Sequence, residues 1–220
     1  MARIRGAVGR AGINRSEDVT LIQQLLNDHI SQLTPLRQLE VDGAIGPATI
    51  QAIEEFQRRI VSLATPDGRV DPGGRTFHVL SFVQMPKSGA GFYSYTSADK
   101  LWGAPGTIAS MQAVAQAVRA ALQVDLGIGD ISLRDGGLMP PHRSHRRGVD
   151  VDLRPIRVDG KRLPTHIDQD TYSRERTKRL VELLQKDPKL GSILFNDKQI
   201  TGVTPWAGHD NHLHVRFKES

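Results

Sequence analysis

The sequence of 220 residues contains no cysteine. It can form neither disulfide bonds nor a thiolate metal site, so any metal ion would have to be held by His, Asp or Glu. No hydrophobic run approaches the roughly 20 apolar residues that a membrane helix needs. The basic N-terminus, MARIRGAVGRAGINRSED, is not followed by an apolar stretch, so we expect no secretory signal in it. We expect no membrane association, and we expect the chain to act as a monomer.

Aromatic residues are also scarce, at 5% of the chain, whereas 29 Lys and Arg outnumber 24 Asp and Glu. A basic protein suggests nucleic acid as a partner. However, no segment interleaves aromatic and basic residues into a platform on which bases could stack. We therefore expect no nucleic-acid binding, and the positive charge is better suited to an anionic polymer or a carboxylate-rich substrate.

Helical patterns dominate the N-terminal third of the chain. Apolar residues recur at helical spacing over 17–30, where Ser16 or Asp18 could cap the helix. A second helix is predicted over 47–60, with Pro47 in its first turn. The segment VDGAIGPATIQAI before and within this helix is echoed by PDGRVDPGGRTFHVL, so the sequence predicts a small helical domain with repeated Asp-Gly turns.

These segments resemble the peptidoglycan-binding domain found on many cell-wall hydrolases. The resemblance rests on DVTLIQQLLN, VDGAIGPATIQAIEEFQ and DGRVDPGGRT, and it covers roughly residues 8–82. It implies a three-helix bundle that binds the wall and carries out no chemistry. We therefore predict a peptidoglycan-binding domain over 1–84 and a second domain over 85–220.

Two strands are predicted in the second domain, and each carries ionisable side chains on one face. In VDVDL, residues 149–153, alternation turns Asp150 and Asp152 to the same side, away from the core. In GHDNHLHVRF, residues 208–217, the same alternation turns His212, His214 and Arg216 away from the core. Five of the eight histidines lie in this segment and in PPHRSHRRGVDVDL, which favours one joint site.

A hydrolytic zinc ion fits this set of side chains. Such an ion uses three protein ligands with nitrogen or oxygen donors and keeps one position open for water. His145, Asp152 and His214 supply two imidazoles and one carboxylate, and His212 is placed to act as a general base. Gly148 would let the backbone turn between His145 and the strand that carries Asp152.

Other polar and aromatic residues are expected around this centre. His142 and His209 could support the ligands, bind a second metal ion or be ordinary loop residues; we favour a supporting or pocket-rim position. We expect Asp150 to orient a histidine or a basic side chain. Arg143 and neighbouring arginines suit substrate carboxylates, and Trp206 either lines the groove or belongs to the core.

The spacing His-x6-Asp, followed far downstream by His-x-His, is similar to that of the superfamily that joins lysostaphin-like, D-Ala-D-Ala and hedgehog-type zinc domains. Within it, GDISLRDGGLMPPHRSHRRGVDVDL and PWAGHDNHLHVRF resemble the penicillin-insensitive murein endopeptidases, over roughly residues 90–220. The resemblance implies an α+β fold with a central antiparallel sheet that carries the zinc. It also implies that His145, Asp152 and His214 are ligands and that His212 is catalytic.

The function predicted is cleavage of a peptide cross-link in peptidoglycan, between D-Ala and diaminopimelate. The alternatives are cleavage of L-Ala–D-Glu, D,D-carboxypeptidase trimming, and a non-catalytic wall-binding module with structural zinc. Because the chain lacks the signal peptide and disulfides of periplasmic relatives, we expect a phage endolysin or a type VI secretion effector that is made in the cytoplasm and acts on the wall. An effector would add an immunity protein and a secretion machine as partners.

Overall fold

The computed structural model describes residues 3–218, and the chain divides into two compact units. The first unit ends at Phe82 and also includes Arg134–Gly137, whereas the second begins at Val83 and resumes at Leu138. Each unit has its own hydrophobic core. In residues 3–218 no helix combines the length and the apolar character needed to cross a membrane. The fold is mixed, with both helices and sheets.

Among the described residues, the first unit has three α-helices and a two-stranded antiparallel sheet. Its elements are β1 (Val8–Gly9), α1 (Ser16–Asp28), α2 (Pro47–Arg59), β2 (Arg69–Val70) and α3 (Arg75–Leu80), with a 3-10 turn at Ile30–Gln32. The predicted N-cap of α1 is wrong, because Arg15 occupies that position and offers no side-chain bond. Asp18 instead accepts the backbone N–H groups of Arg5 and Gly6, which ties the N-terminal segment to the helix.

The first Asp-Gly turn is held by a glutamine from the preceding helix. The Gln23 side chain on α1 is almost completely buried. Its amide nitrogen donates to Asp42 Oδ1 at 2.8 Å, and its amide oxygen accepts from the backbone N–H of Gly43 at 3.0 Å. Gly43 has a φ of +71°, which only glycine adopts at no steric cost.

The second turn repeats this arrangement with Gln57 on α2. Its amide nitrogen donates to Asp67 Oδ1 at 2.6 Å, and its amide oxygen accepts from the N–H of Gly68 at 2.9 Å. Gly68 has a φ of +66°. The sequence repeat is therefore also a structural repeat, in which a buried amide satisfies the polar groups of each turn.

The second unit is built on a six-stranded sheet. Its elements are β3 (Val83–Gln84), β4 (Ser88–Gly89), β5 (Phe92–Ser94), β6 (Trp102–Gly103), α4 (Pro105–Leu122), β7 (Leu126–Ile128), β8 (Asp150–Leu153), α5 (Arg174–Leu184), β9 (Leu190–Leu194) and β10 (Leu213–Phe217). The strand order of the large sheet is β4-β5-β7-β8-β10-β9, and β3 pairs with β6 in a separate two-stranded sheet.

The large sheet is mixed, which corrects the expectation of an antiparallel sheet. Strands β5 and β7 pair in parallel, and the remaining neighbours pair antiparallel. The physical reason is the 18-residue helix α4 between β5 and β7, because parallel neighbours require a long crossover connection, most often a helix.

Strands β8 and β10 place their polar residues directly opposite one another. In the antiparallel register His214 faces Asp152, and Arg216 faces Asp150. The alternate residues of both strands, including Val151 and Val215, are fully buried in the core of this unit. One surface of this strand pair is therefore apolar and packed, while the other carries two carboxylates, an imidazole and a guanidinium.

Candidate functional site

Three predicted ligands come together at the polar surface of β8 and β10. His145 approaches from the loop that precedes β8, Asp152 lies on β8 and His214 on β10. All three residues are at least nine-tenths buried. His145 Nε2 is 3.3 Å from Asp152 Oδ1 and 3.1 Å from His214 Nδ1, and His214 Nδ1 is 3.2 Å from the same carboxylate oxygen.

These distances fit a tetrahedral metal ion. Nitrogen and oxygen ligands at roughly 2.0–2.1 Å from zinc lie about 3.3 Å from each other in a tetrahedron. The three donor atoms form a nearly equilateral triangle of that size, and its chemistry is that of catalytic zinc sites with one carboxylate and two imidazoles. The residues present therefore fit the metal that the sequence predicts.

His145 Nδ1 and His214 Nε2, the ring nitrogens outside the donor triangle, each lie within hydrogen-bond distance of an oxygen acceptor. His145 Nδ1 lies 3.0 Å from the carbonyl oxygen of Ile131, which can only accept, so this nitrogen donates. His214 Nε2 lies 3.1 Å from Asp150 Oδ1. With these two nitrogens protonated, His145 Nε2 and His214 Nδ1 face each other and the Asp152 carboxylate, so a proton or a metal cation can lie between them.

The electrostatics of the cluster keep its carboxylates ionised. Burial by itself raises the pKa of the Asp152 carboxyl, but hydrogen bonds with His145 and His214 outweigh burial and hold that pKa well below its usual range. Burial lowers the pKa of His214, yet its bonds to Asp150 and Asp152 more than offset this and raise it to about 9. The negative charge of the two aspartates thus draws a proton or a metal ion to this point.

The Asp150 carboxylate connects the cluster to Arg216. In addition to its contact with His214, it accepts from Arg216 Nε at 2.7 Å and from a terminal nitrogen of the same guanidinium at 3.2 Å. Burial raises the pKa of Asp150, but these partners outweigh burial and lower it. Asp150 therefore lies in contact with both a histidine and a basic side chain.

His212 lies beside the donor atoms although it precedes β10. The strand begins at Leu213, so the prediction that residues 208–217 form one strand is wrong at its N-terminal end. His212 Nε2 is 4.0 Å from Asp152 Oδ1, and its Nδ1 is 2.8 Å from the side-chain oxygen of Asn211. Burial is the main cause that lowers the pKa of His212, which favours a neutral imidazole. His209 packs on it, with ring centroids 4.7 Å apart.

His142 belongs to an alternative donor set. His142, His145 and Asp152 each offer a ligand atom within 4.8 Å of the other two. However, His142 Nε2 is 3.0 Å from Asp130 Oδ2, and 3.7 Å from Asp152 Oδ2. That nitrogen is therefore directed to Asp130. The donor atoms of His145, Asp152 and His214 are separated by shorter and more nearly equal distances, so this set fits a single metal ion better.

Two predicted residues lie outside this cluster. Arg143 is exposed, on the loop that carries His142 and His145. Trp206 is 57% exposed, so it is not a core residue, and its carbonyl oxygen accepts the backbone N–H of His209.

The sequence reasoning missed Asp130. This residue accepts a bond from the Thr96 hydroxyl and pairs with Lys100 Nζ at 3.1 Å as well as with His142. Its backbone oxygen also accepts the N–H of Asp152 at 3.0 Å. In the sequence, Asp130 was marked only by its place in the segment GDISLRDGG, because the residues with which it interacts lie far away along the chain.

Comparisons with known proteins match both parts of the chain. The family described as penicillin-insensitive murein endopeptidase matches residues 79–190, and a putative peptidoglycan binding domain matches residues 15–74. A protein of Haemophilus influenzae named penicillin-insensitive murein endopeptidase is 24% identical over 197 residues, which covers 74% of this chain and 68% of that protein. The family match ends before β10, so geometry alone brings His212 and His214 into the site.

Proposed function

The chain belongs to the penicillin-insensitive murein endopeptidase family, and from this premise we propose that it is a zinc-dependent peptidoglycan endopeptidase that cleaves the D-Ala–diaminopimelate cross-link. The observation that carries the proposal is the triangle of donor atoms from His145, Asp152 and His214, with edges of 3.1–3.3 Å. The family match supplies the substrate class, and the triangle supplies the chemistry.

In this proposal each residue has a defined task. His145, Asp152 and His214 would hold the zinc ion, which when bound polarises the scissile carbonyl and lowers the pKa of water. The Ile131 carbonyl and the Asp150 carboxylate hold the two imidazoles in the tautomers that point their inner nitrogens at the site. His142, held by Asp130, borders this centre.

His212 takes the proton from the attacking water and returns it to the leaving amine. Its Nδ1–H is directed to Asn211 Oδ1, which leaves the Nε2 lone pair toward the site. Its lowered pKa favours the neutral form at neutral pH, as a general base requires. His212 therefore lies next to the three donor atoms but is not one of the proposed zinc ligands.

We further propose that the first unit is the three-helix wall-binding module and that it keeps the enzyme on insoluble peptidoglycan. The match of residues 15–74 to a peptidoglycan binding domain supports this, as does the absence of a comparable donor cluster among residues 3–82. The setting that we propose is phage lysis or type VI secretion, with the periplasmic wall as the target. Toxicity that requires export to the periplasm and is relieved by a cognate immunity protein would support the effector role.

Mass spectrometry of the products from digested sacculi tests the reaction. Cross-linked dimers should fall to monomers that keep intact tetrapeptide stems. Products that expose a free L-Ala carboxyl would identify L-Ala–D-Glu cleavage instead, and loss of terminal D-Ala alone would identify a carboxypeptidase. Zinc binding without any turnover would support the non-catalytic alternative.

A further inference from the structure

A cavity of about 360 Å³ opens on the surface of the first unit. One wall is formed by the segment 36–42, which lies between α1 and α2, and the other by the beginning of α2 at Pro47. This volume lies at the lower end of the roughly 300–1,000 Å³ of small-molecule pockets. A single residue or end group of a larger polymer fits this space.

Two polar side chains of α1 hold the first wall in place. The Asn27 amide bonds to both backbone groups of Leu39: its Nδ2 donates to the carbonyl oxygen at 2.9 Å, and its Oδ1 accepts from the N–H at 2.7 Å. One turn earlier on the same helix, Gln23 donates to Asp42 Oδ1, which also accepts the N–H of Ala44 at 2.9 Å. The wall is therefore fixed before a ligand arrives, which lowers the entropic cost of binding.

Opposite charges line the cavity, and two of them make no internal contact. Arg37 and Glu40 lie three positions apart on the first wall, and both are exposed. Within residues 3–218, neither side chain forms a hydrogen bond or an ion pair. Asp42 is the third charged residue of the lining, and its Oδ1 atom is already engaged in the turn. The lining as a whole thus offers one cation and two carboxylates.

These charges restrict the class of ligand. A simple anion would meet two carboxylates, and a simple cation would meet the Arg37 guanidinium. A group that carries an ammonium and a carboxylate on one carbon avoids both conflicts, because its carboxylate can face Arg37 while its ammonium faces Glu40. A glycan is less suited, since no aromatic side chain among the described residues lines the cavity for a sugar ring to stack on.

The stem peptides of peptidoglycan contain a group of this kind. Diaminopimelate carries an ammonium and a carboxylate on the same carbon wherever its stem is not cross-linked, whereas in a cross-link that nitrogen is an uncharged amide. Hydrolysis of the D-Ala–diaminopimelate bond adds water across the amide. The D-Ala carbonyl becomes a carboxylate, and the diaminopimelate nitrogen leaves as an amine that is protonated at neutral pH. The proposed reaction therefore creates this zwitterionic group.

We propose that this cavity is the ligand site of the first unit and that it binds the free zwitterionic end of diaminopimelate. Arg37 binds the carboxylate, and Glu40 binds the ammonium. The unit would then hold the enzyme at stems that are not cross-linked, including those that the proposed reaction releases. This inference rests on the proposed wall-binding function and names the chemical group that the first unit recognises.

Isothermal titration calorimetry of the full chain with the tripeptide L-Ala–γ-D-Glu–diaminopimelate tests the site. Acetylation of the free amine, or conversion of the adjacent carboxylate to a carboxamide, should each weaken binding by about twofold to fivefold, as the loss of one exposed ion pair predicts. Glu40→Gln should weaken binding by a similar factor and remove the effect of acetylation. Arg37→Gln should do the same for amidation, and Arg37→Lys should retain the preference for the carboxylate.

Arg15→Gln and Glu17→Gln are the matched controls, because both side chains are exposed on the first unit and lie outside the cavity. Neither should change binding. Tripeptide binding that both cavity variants leave unchanged would overturn the proposal, as would displacement of the protein from sacculi by N-acetylglucosamine oligomers but not by the tripeptide. Binding to sacculi without any binding of the tripeptide would overturn this site alone, whereas failure to bind sacculi would refute the wall-binding function itself.

Discussion

At the scale of single residues, His212 and His214 lie two positions apart but make different contacts. His214 Nδ1 is part of the donor triangle, while His212 Nε2 lies 4.0 Å from Asp152 Oδ1 and its side chain is 23% exposed. Because both rings lie near the Asp152 carboxylate, a comparison of variants at the two positions can distinguish a metal ligand from a general base.

The first prediction concerns this pair. His214→Ala leaves two protein ligands, so the zinc content should fall to background. His212→Ala should keep zinc and the fold, with a rate lowered by about 10²–10⁴, the usual contribution of a proton-transfer group. Metal analysis and kinetics on soluble muropeptides separate the two, and His166→Ala is the control. A zinc-free His212→Ala protein beside a zinc-containing His214→Ala protein would reverse the assignment.

A second prediction concerns Asp150, whose carboxylate accepts from His214 and Arg216. Asp150→Asn keeps the shape but removes the charge that orients and polarises the His214 imidazole. Zinc affinity should fall by about 10–100-fold, as for other residues that support metal ligands. Competition with a chelator measures this, and Asp168→Asn, at an exposed carboxylate, is the control. An unchanged affinity would show that Asp150 serves Arg216 alone.

At the scale of elements, the turn before β8 decides whether His145 and Asp152 can share a site. Gly148 has a φ of +63°, and a Cβ atom there would lie 2.6 Å from the backbone nitrogen of Ala104. The turn therefore requires glycine both for its backbone conformation and for the close approach of a neighbouring segment.

Gly148→Ala should consequently lower both the thermal stability and the zinc content. Gly208→Ala is the matched control, because Gly208 also has a positive φ, of +83°, but a Cβ atom there would meet no described atom within 4 Å. The control should show only the smaller cost of the backbone conformation, about 1–2 kcal/mol. Equal effects of the two substitutions, measured by thermal unfolding, would contradict a steric role for position 148.

The repeated Asp-Gly turns of the first unit allow another test at this scale. Gln57→Ala removes the amide that bonds to Asp67 and Gly68 and leaves buried backbone groups without partners. The free energy of unfolding of this unit should fall by about 2–3 kcal/mol. Gln51→Ala, on the exposed surface of the same helix, should change it by less than roughly 0.5 kcal/mol. Denaturant unfolding checks this, and similar values for both variants would argue against the repeat as a stabilising device.

At the scale of the whole molecule, the two units have different proposed tasks. The second contains the donor cluster, and the first matches a peptidoglycan binding domain. Tethering an enzyme to an insoluble substrate raises the local substrate concentration without altering the chemistry. The contribution of the first unit should therefore depend on the physical form of the substrate.

A protein that begins at Val83 should accordingly keep zinc and cleave soluble muropeptides, but it should digest sacculi more slowly than the full chain. Because Arg134–Gly137 belongs to the first unit, circular dichroism and zinc content must first establish that the shortened protein is folded. Equal rates on sacculi for the two proteins would contradict the docking role.

Local sequence patterns predicted several secondary-structure elements of this protein and the faces on which their polar residues lie. The alternation in VDVDL placed Asp150 and Asp152 on the same face of one strand, and the alternation in LHVRF placed His214 and Arg216 on the same face of another strand. Successive side chains of a strand point to opposite faces, so local sequence is enough to predict this. The positions of α1 and α2 followed from helical spacing, and the Asp-Gly turns from glycine's access to positive φ.

Tertiary structure decided which of these surfaces meet and in which register. His214 and Asp152 are 62 residues apart, and their contact depends on how β8 and β10 pair within the mixed sheet. The bond from His142 to Asp130 and the bond from His145 to the Ile131 carbonyl also join separate segments. No local periodicity encodes such contacts, because each depends on the positions of several chain segments at once.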